Sequence, residues 1–206
     1  MGDYVYIGDL SKIDASVIAE YARNAKSVLE FGIGGSTQIF AQCCPLDAEI
    51  LCLDTSKEWI EFTKEVFKDL QIDRQITILN YNQLSKIKGK SFDIIFDDGL
   101  GRERLNFAFN MWPLLNPNGG KMIFHDTRRP NDIKNVCKVM EAFYNQISMA
   151  ELNKNHSNIS ILTKKPPEPY VNWNRTEDKQ NWMKSARITE RPSDWFKQLR
   201  DFIWGN

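Results

Sequence analysis

What most restricts this chain is a rhythm of short apolar runs. "SVLEF" (27–31), "AEILCL" (48–53), "QITIL" (75–79), "FDIIF" (92–96) and "KMIF" (121–124) are four to six residues long and recur between longer segments. Runs this short, with little polar alternation, suit strands covered on both faces. Most intervening segments instead carry apolar residues at helical spacing. Ile13, Val17, Ile18 and Tyr21 do so within a helix predicted from Ser11 to Tyr21, where Ser11 and Asp14 make an approximate capping box. Trp59, Phe62, Val66, Phe67 and Leu70 do so after Ser56, an N-cap residue type. Further helices are predicted over 37–44, 102–115 and 132–146, the first of them ended by Pro45.

Strands alternating with helices require an open sheet with helices on both faces, and right-handed crossovers leave few topologies for it. After the last of these helices, "ISMAEL" and "NISILT" are separated only by a polar turn at 153–157, a hairpin-like change from the earlier rhythm. The prediction is therefore an α/β fold over residues 1–164. It is a doubly wound, Rossmann-like, mostly parallel seven-stranded sheet with an antiparallel terminal hairpin. Residues 165–206 read as an aromatic-rich extension holding Trp173, Trp182, Trp195 and Trp204, with a short helix capped by Ser193. Such a segment is expected to pack on the same domain, shape a cleft, or meet a second copy in a homodimer.

Bulk properties remove several function classes. The 206 residues carry 27 Lys and Arg against 27 Asp and Glu, so no global field draws in nucleic acid or an anionic membrane. No apolar stretch approaches the roughly 20 residues a bilayer demands, and the opening "MGDYVYIGDL" lacks the pattern of a signal peptide. Cys43, Cys44, Cys52 and Cys137 have neither framework spacing nor a CxxC pair, which predicts reduced thiols and a cytoplasmic location.

The chemistry gathers where strands end. In "VLEFGIGGST" the first strand runs into Gly32, Gly34 and Gly35, where missing Cβ atoms permit a tight bend and close approach of a ligand. Ligands of doubly wound sheets collect beyond such strand ends. No Gly-Lys-Ser/Thr follows, which excludes the nucleoside triphosphate loop. Glu30 would repel a pyrophosphate but suits a ligand bearing an ammonium or sulfonium. Asp54, closing the second run 19 residues after Gly35, can accept both hydroxyls of a ribose. The fourth run ends in Asp97 and Asp98, the fifth in His125 and Asp126. Side chains alternate along a strand, so one acid of each run is expected in the cleft, Asp98 and Asp126 being the choices. Two carboxylates brought together need a cation such as Mg²⁺ or Mn²⁺, or an arginine, between them. Arg102, Arg128 and Arg129 are near enough in sequence to serve there or to bind substrate. His125 is the candidate base for a hydroxyl proton.

With Glu30, the three glycines, Asp54, "FDIIFDDG" and "LLNPNGGKMIFHDT" in order, residues 11–163 resemble a class I S-adenosylmethionine-dependent methyltransferase. Within that superfamily the chain is most similar to small-molecule and sugar O-methyltransferases of the methyltransferase domain 24 type. The resemblance implies that Glu30, Phe31, Gly32, Gly34, Gly35 and Ser36 line the methionine half of the cofactor. It implies Asp54 and Thr55 at the ribose, Asn82 near the adenine, and Asp97 among the cofactor contacts. It also implies a divalent metal on Asp98 and Asp126, with Thr127 where metal-dependent relatives often carry an amide ligand.

The function expected is therefore transfer of a methyl group to a hydroxyl of a small molecule, a sugar or glycan end before others. Asp98, His125 and Asp126 form its catalytic rim. A metal-independent N- or phenolic O-methyltransferase is the alternative, and a non-catalytic nucleoside-binding or assembly protein a further one.

Overall fold

The computed structural model describes residues 10–72 and 76–166. The expected extension lies outside the described residues from 167 onward. Twelve regular elements follow in chain order: α1 (Lys12–Ala22), β1 (Ser27–Phe31), α2 (Gly35–Cys43), β2 (Glu49–Asp54), α3 (Lys57–Asp69), β3 (Thr77–Asn80), β4 (Ile94–Asp97), α4 (Gly101–Met111), β5 (Lys121–Phe124), α5 (Pro130–Ala142), β6 (Ile147–Glu151) and β7 (Ser160–Lys164). The strands form one seven-stranded sheet in the order β3-β2-β1-β4-β5-β7-β6. Parallel pairing runs from β3 through β5, while β7 pairs antiparallel with both β5 and β6. The predicted doubly wound sheet with its terminal hairpin is what the chain builds.

This order puts β1 and β4 side by side with their crossovers leaving in opposite directions. Such a reversal opens a crevice beyond the carboxyl ends of the two strands. The central strands are buried on both faces, as their lack of polar alternation requires: Val28, Leu29, Phe31, Ile94, Ile95 and Phe96 are all under 3% exposed. Phe96 meets Phe40 of α2 edge to face at 5.7 Å on one side. Phe31 contacts Phe107 of α4 at 4.8 Å and Tyr81 at 4.7 Å. Helix α4 ends at Met111 and gives way to a short 3₁₀ turn, Trp112–Leu114, shorter than predicted. Pro113 explains the difference, because it lacks the N–H that a further helical turn would need.

Helix α1 is tied down at its start. Asp14 N–H donates to Ser11 Oγ (3.1 Å) while Ser11 N–H donates back to Asp14 Oδ2 (3.2 Å), the capping box read from the sequence. The other carboxylate oxygen, Oδ1, accepts from the backbone of Asn158 at 2.7 Å. The β6–β7 connection is thereby pinned to the helix. Among the described residues, no helix is long and apolar enough to cross a membrane.

Candidate active site

The bend after β1 is built from two unlike glycines. Gly32 has φ +94°, and a Cβ there would lie 2.4 Å from the carbonyl oxygen of Asp98. Its absence lets β1 and β4 close on each other, with Asp98 N–H donating to Phe31 O at 2.8 Å. Gly34 is the opposite case, since a Cβ there would meet nothing within 4 Å. It faces a cleft of about 380 Å³ lined also by Asp54, Thr55, Asp98, Arg104 and Asp126. Asp54 organises one wall by accepting Ile33 N–H on Oδ2 (3.2 Å) and Ser56 N–H on Oδ1 (2.8 Å). Trp59, predicted only as part of an apolar helix face, closes that wall by donating from Nε1 to Ile33 O at 2.5 Å. A carboxylate beside open glycine backbone fits an adenosyl ligand, with Gly34 against it and Asp54 within reach of hydroxyls.

Glu30 lies beneath the bend rather than on the cleft lining, at 0% exposure. It accepts from Ser36 Oγ and Thr37 Oγ1, both at 2.5 Å, and from Cys52 Sγ at 3.0 Å. Burial pushes its pKa up to about 7 against the opposing effect of these bonds. The predicted contact with a cofactor amino group is thus replaced by an internal role: Glu30 fastens the first turn of α2 to β1 and β2. Phe31 and Asp97 are also buried below the lining. Burial holds the Asp97 carboxyl well above the usual range, although Arg104 and the backbone of Gly99 lower it in part.

At the far wall the two predicted acids do converge. Strand β5 stops at Phe124, and Asp126 adopts a left-handed φ of +63°, a conformation Asp tolerates better than most residues. That turn carries the Asp126 carboxylate back toward Asp98. One oxygen of each carboxylate and a ring nitrogen of His125 lie within 4.8 Å of one another. Between the acids, however, sits Arg104. Its Nη2 donates to Asp98 Oδ1 (2.8 Å) and Asp126 Oδ2 (3.0 Å), Nη1 to His125 O (3.2 Å) and Asp132 Oδ1 (3.3 Å), and Nε to Gly99 O (2.8 Å). Arg129 adds a second guanidinium on Asp126 Oδ2 at 2.7 Å.

Several expected site residues therefore take other places. Arg102 points outward, 80% exposed, against Glu103. Arg104, two positions on, faces inward because it shares a helix face with the buried Phe107, Ala108 and Met111. That phase was readable in the sequence and marks the residue that proximity alone missed. Arg128 bonds the carbonyl of His156. Thr127 cannot serve as a metal ligand in this arrangement, because its hydroxyl faces Asn153 Oδ1 (2.9 Å), Asn158 O (3.1 Å) and Ser160 Oγ (2.9 Å). Asn82 is exposed in the turn after β3, its N–H donating to Asn80 Oδ1 at 3.1 Å, and it is not on the cleft lining.

His125 turns inward and is 1% exposed. Its Nδ1 is 3.1 Å from Asp98 Oδ1, and Nε2 is 3.6 Å from Asp14 Oδ2, an ion-pair distance rather than a hydrogen bond. Burial by itself lowers the imidazole pKa, but Asp14, then Asp98 and Asp126, overturn that and lift it to about 10. The predicted base thus lies off the cleft lining, held between Asp14 of α1 and Asp98 of the rim, where these carboxylates favour the charged ring.

An open glycine bend, a carboxylate closing the neighbouring strand and a carboxylate rim beyond a β1/β4 crevice define a nucleoside-binding α/β enzyme with chemistry at its strand ends. A family profile described as O-methyltransferase matches residues 18–158, well over half of the chain. The chain belongs to this O-methyltransferase family, and it is an S-adenosylmethionine-dependent methyltransferase. Solved structures agree on the fold. The O-methyltransferase of Bacillus cereus in complex with SAH is 15% identical, with TM-score 0.62 over 76% of this chain and 82% of its own. TomG of Streptomyces achromogenes, an O-methyltransferase involved in tomaymycin synthesis, in complex with SAM, is 14% identical, with TM-score 0.61 over 77% and 82%. SAH-bound methyltransferase PaMTH1 of Podospora anserina is 19% identical, with TM-score 0.58 over 77% and 80%. No curated protein sequence matches the chain.

Proposed function

We propose that the protein methylates a hydroxyl oxygen of a small polyol-like acceptor, a sugar or glycan end being the preferred class. The observation that carries this reading is the pairing, across one cleft, of the open Gly34 backbone beside Asp54 with the rim of Asp98, Asp126 and Arg104. Gly32, Gly34, Gly35 and Ser36 would hold the amino-acid half of the cofactor through backbone and hydroxyl groups, and Asp54 with Thr55 its ribose. When bound, S-adenosylmethionine supplies a methyl carbon already activated on a sulfonium, so the C–S bond breaks as the acceptor oxygen bonds to carbon and sulfur keeps the electron pair. Positioning and exclusion of water are then the main tasks of the chain.

Asp98 is the group suited to the acceptor proton. Among the described residues its side-chain bonds, to Arg104 and His125, fall on Oδ1, leaving Oδ2 for a hydroxyl in the cleft. A carboxylate is a weak base for an alcohol, yet an oxygen that is gaining a methyl group becomes strongly acidic. Proton transfer late in the step therefore suffices. A rim rich in carboxylates and guanidinium groups also favours an acceptor with several hydroxyls over an apolar ring. Thiols without framework spacing support a reducing, cytoplasmic setting for the reaction.

The test is a panel of sugars, catechols and amines incubated with methyl-labelled cofactor, with products located by mass spectrometry. A sugar hydroxyl should carry the label. Asp98→Asn should lower kcat about 100-fold or more while binding of S-adenosylhomocysteine stays within a few-fold. Label appearing only on amines or phenols would refute the sugar assignment, and unchanged turnover in Asp98→Asn would refute its role.

A further inference from the structure

The rim has the outline of a divalent-cation site and is filled by an arginine. We propose that the Arg104 guanidinium stands in for a metal between Asp98 and Asp126, so that this methyltransferase positions its acceptor without a divalent cation. The proposal rests on the methyltransferase reading above for its functional meaning, but the geometry behind it is independent of any acceptor.

Three observations converge. First, an ion bridging Asp98 Oδ1 and Asp126 Oδ2 would lie where Nη2 already sits, 2.8 Å and 3.0 Å from those oxygens. Second, the guanidinium is saturated. An arginine offers five N–H donors, and Gly99 O, His125 O, Asp132, Asp98 and Asp126 supply an acceptor for each. With its side chain 10% exposed, Arg104 is locked in place, and none of its bonds is left to trade for a passing ion. Third, the remaining ligand positions are turned away. Thr127 is engaged with Asn153, Asn158 and Ser160, and Asp126 Oδ2 also receives Arg129. His125 Nδ1 is directed at the Asp98 carboxylate, 3.1 Å from Oδ1.

A permanent organic cation differs from a metal in what it can hold. A bound ion has open coordination positions and can grip two substrate oxygens at once. Arg104 has no donor to spare, so it is a positioning residue that sets the spacing and orientation of Asp98 and Asp126. The acceptor is then held by hydrogen bonds to those carboxylates and need not carry two adjacent oxygens.

The deciding experiment titrates Mn²⁺ into chelator-treated full-length protein, following free Mn²⁺ by electron paramagnetic resonance, beside Arg104→Ala. Wild type should take up no stoichiometric Mn²⁺, and chelator should change turnover less than twofold. Arg104→Ala should gain one Mn²⁺ site and a Mn²⁺-dependent rise in melting temperature that wild type lacks. One Mn²⁺ bound by wild type and lost in Asp98→Asn would overturn the proposal, as would a tenfold loss of turnover with chelator. A folded Arg104→Ala protein that takes up no Mn²⁺ would overturn it too; should that variant fail to fold, the wild-type titration decides. Calorimetry with S-adenosylhomocysteine on the same wild-type sample separates the two levels, since its failure refutes the methyltransferase reading and leaves the Mn²⁺ result standing.

Discussion

Substituting Gly34 by valine separates a ligand contact from a folding contact. Gly34 is the N-cap of α2, and its φ of 170° is extended backbone open to a residue with a side chain. A Cβ built there meets no heavy atom within 4 Å, so the protein itself has room for valine. Losing glycine at an N-cap in favour of an apolar residue costs about 0.5–1 kcal/mol, which lowers the melting temperature of a chain this size by roughly 1–4 °C. The cofactor has no such room if it rests against this backbone. Forcing extra methyl groups into occupied space costs about 1–3 kcal/mol, and since 1.4 kcal/mol is tenfold, binding should weaken roughly 5- to 150-fold. Isothermal calorimetry with S-adenosylhomocysteine, run beside thermal melts, reads both quantities on one sample. Wild-type affinity in a well-folded Gly34→Val protein would sink the placement of the cofactor. A fall of ten degrees or more would show instead that the space is not open.

Two further substitutions probe neighbouring claims. Gly32→Ala should destabilise by about 2 kcal/mol or more in urea unfolding, because its Cβ would press on the immobile Asp98 carbonyl and its φ of +94° disfavours a side chain; stability equal to wild type would contradict the close β1–β4 approach. His125 carries a pKa raised from 6.5 to about 10, so its contribution is fully present below pH 6.5 and is lost as pH rises through 10. The stability difference between wild type and His125→Asn should therefore shrink across that window, with a slope approaching about 1.4 kcal/mol per pH unit. A difference that stays constant from pH 6.5 to 10 would mean that the ring is not a buried cation.

Much of this architecture is written locally. The apolar runs at 27–31, 48–53, 92–96 and 121–124 and the caps at Ser11 and Ser56 are short-range features, so strands and helix starts fall within a residue or two of their reading. The glycine bend and Asp54 are legible for the same reason, since strand, turn and strand end follow one another along the chain. Side-chain direction at the rim is different. Arg102 and Arg104 are equally near Asp98 in sequence, and only the facing of α4 against the sheet sends one to solvent and the other between two carboxylates. Whether His125 meets substrate or Asp14 depends on where the start of α1 comes to lie, a contact across 111 positions of chain. Order along the chain dictates which charges this protein owns and the strand ends that carry them. Which charge neutralises which was decided by tertiary structure, because buried charges seek partners through space, and neighbours in a folded interior are chosen by packing rather than by order.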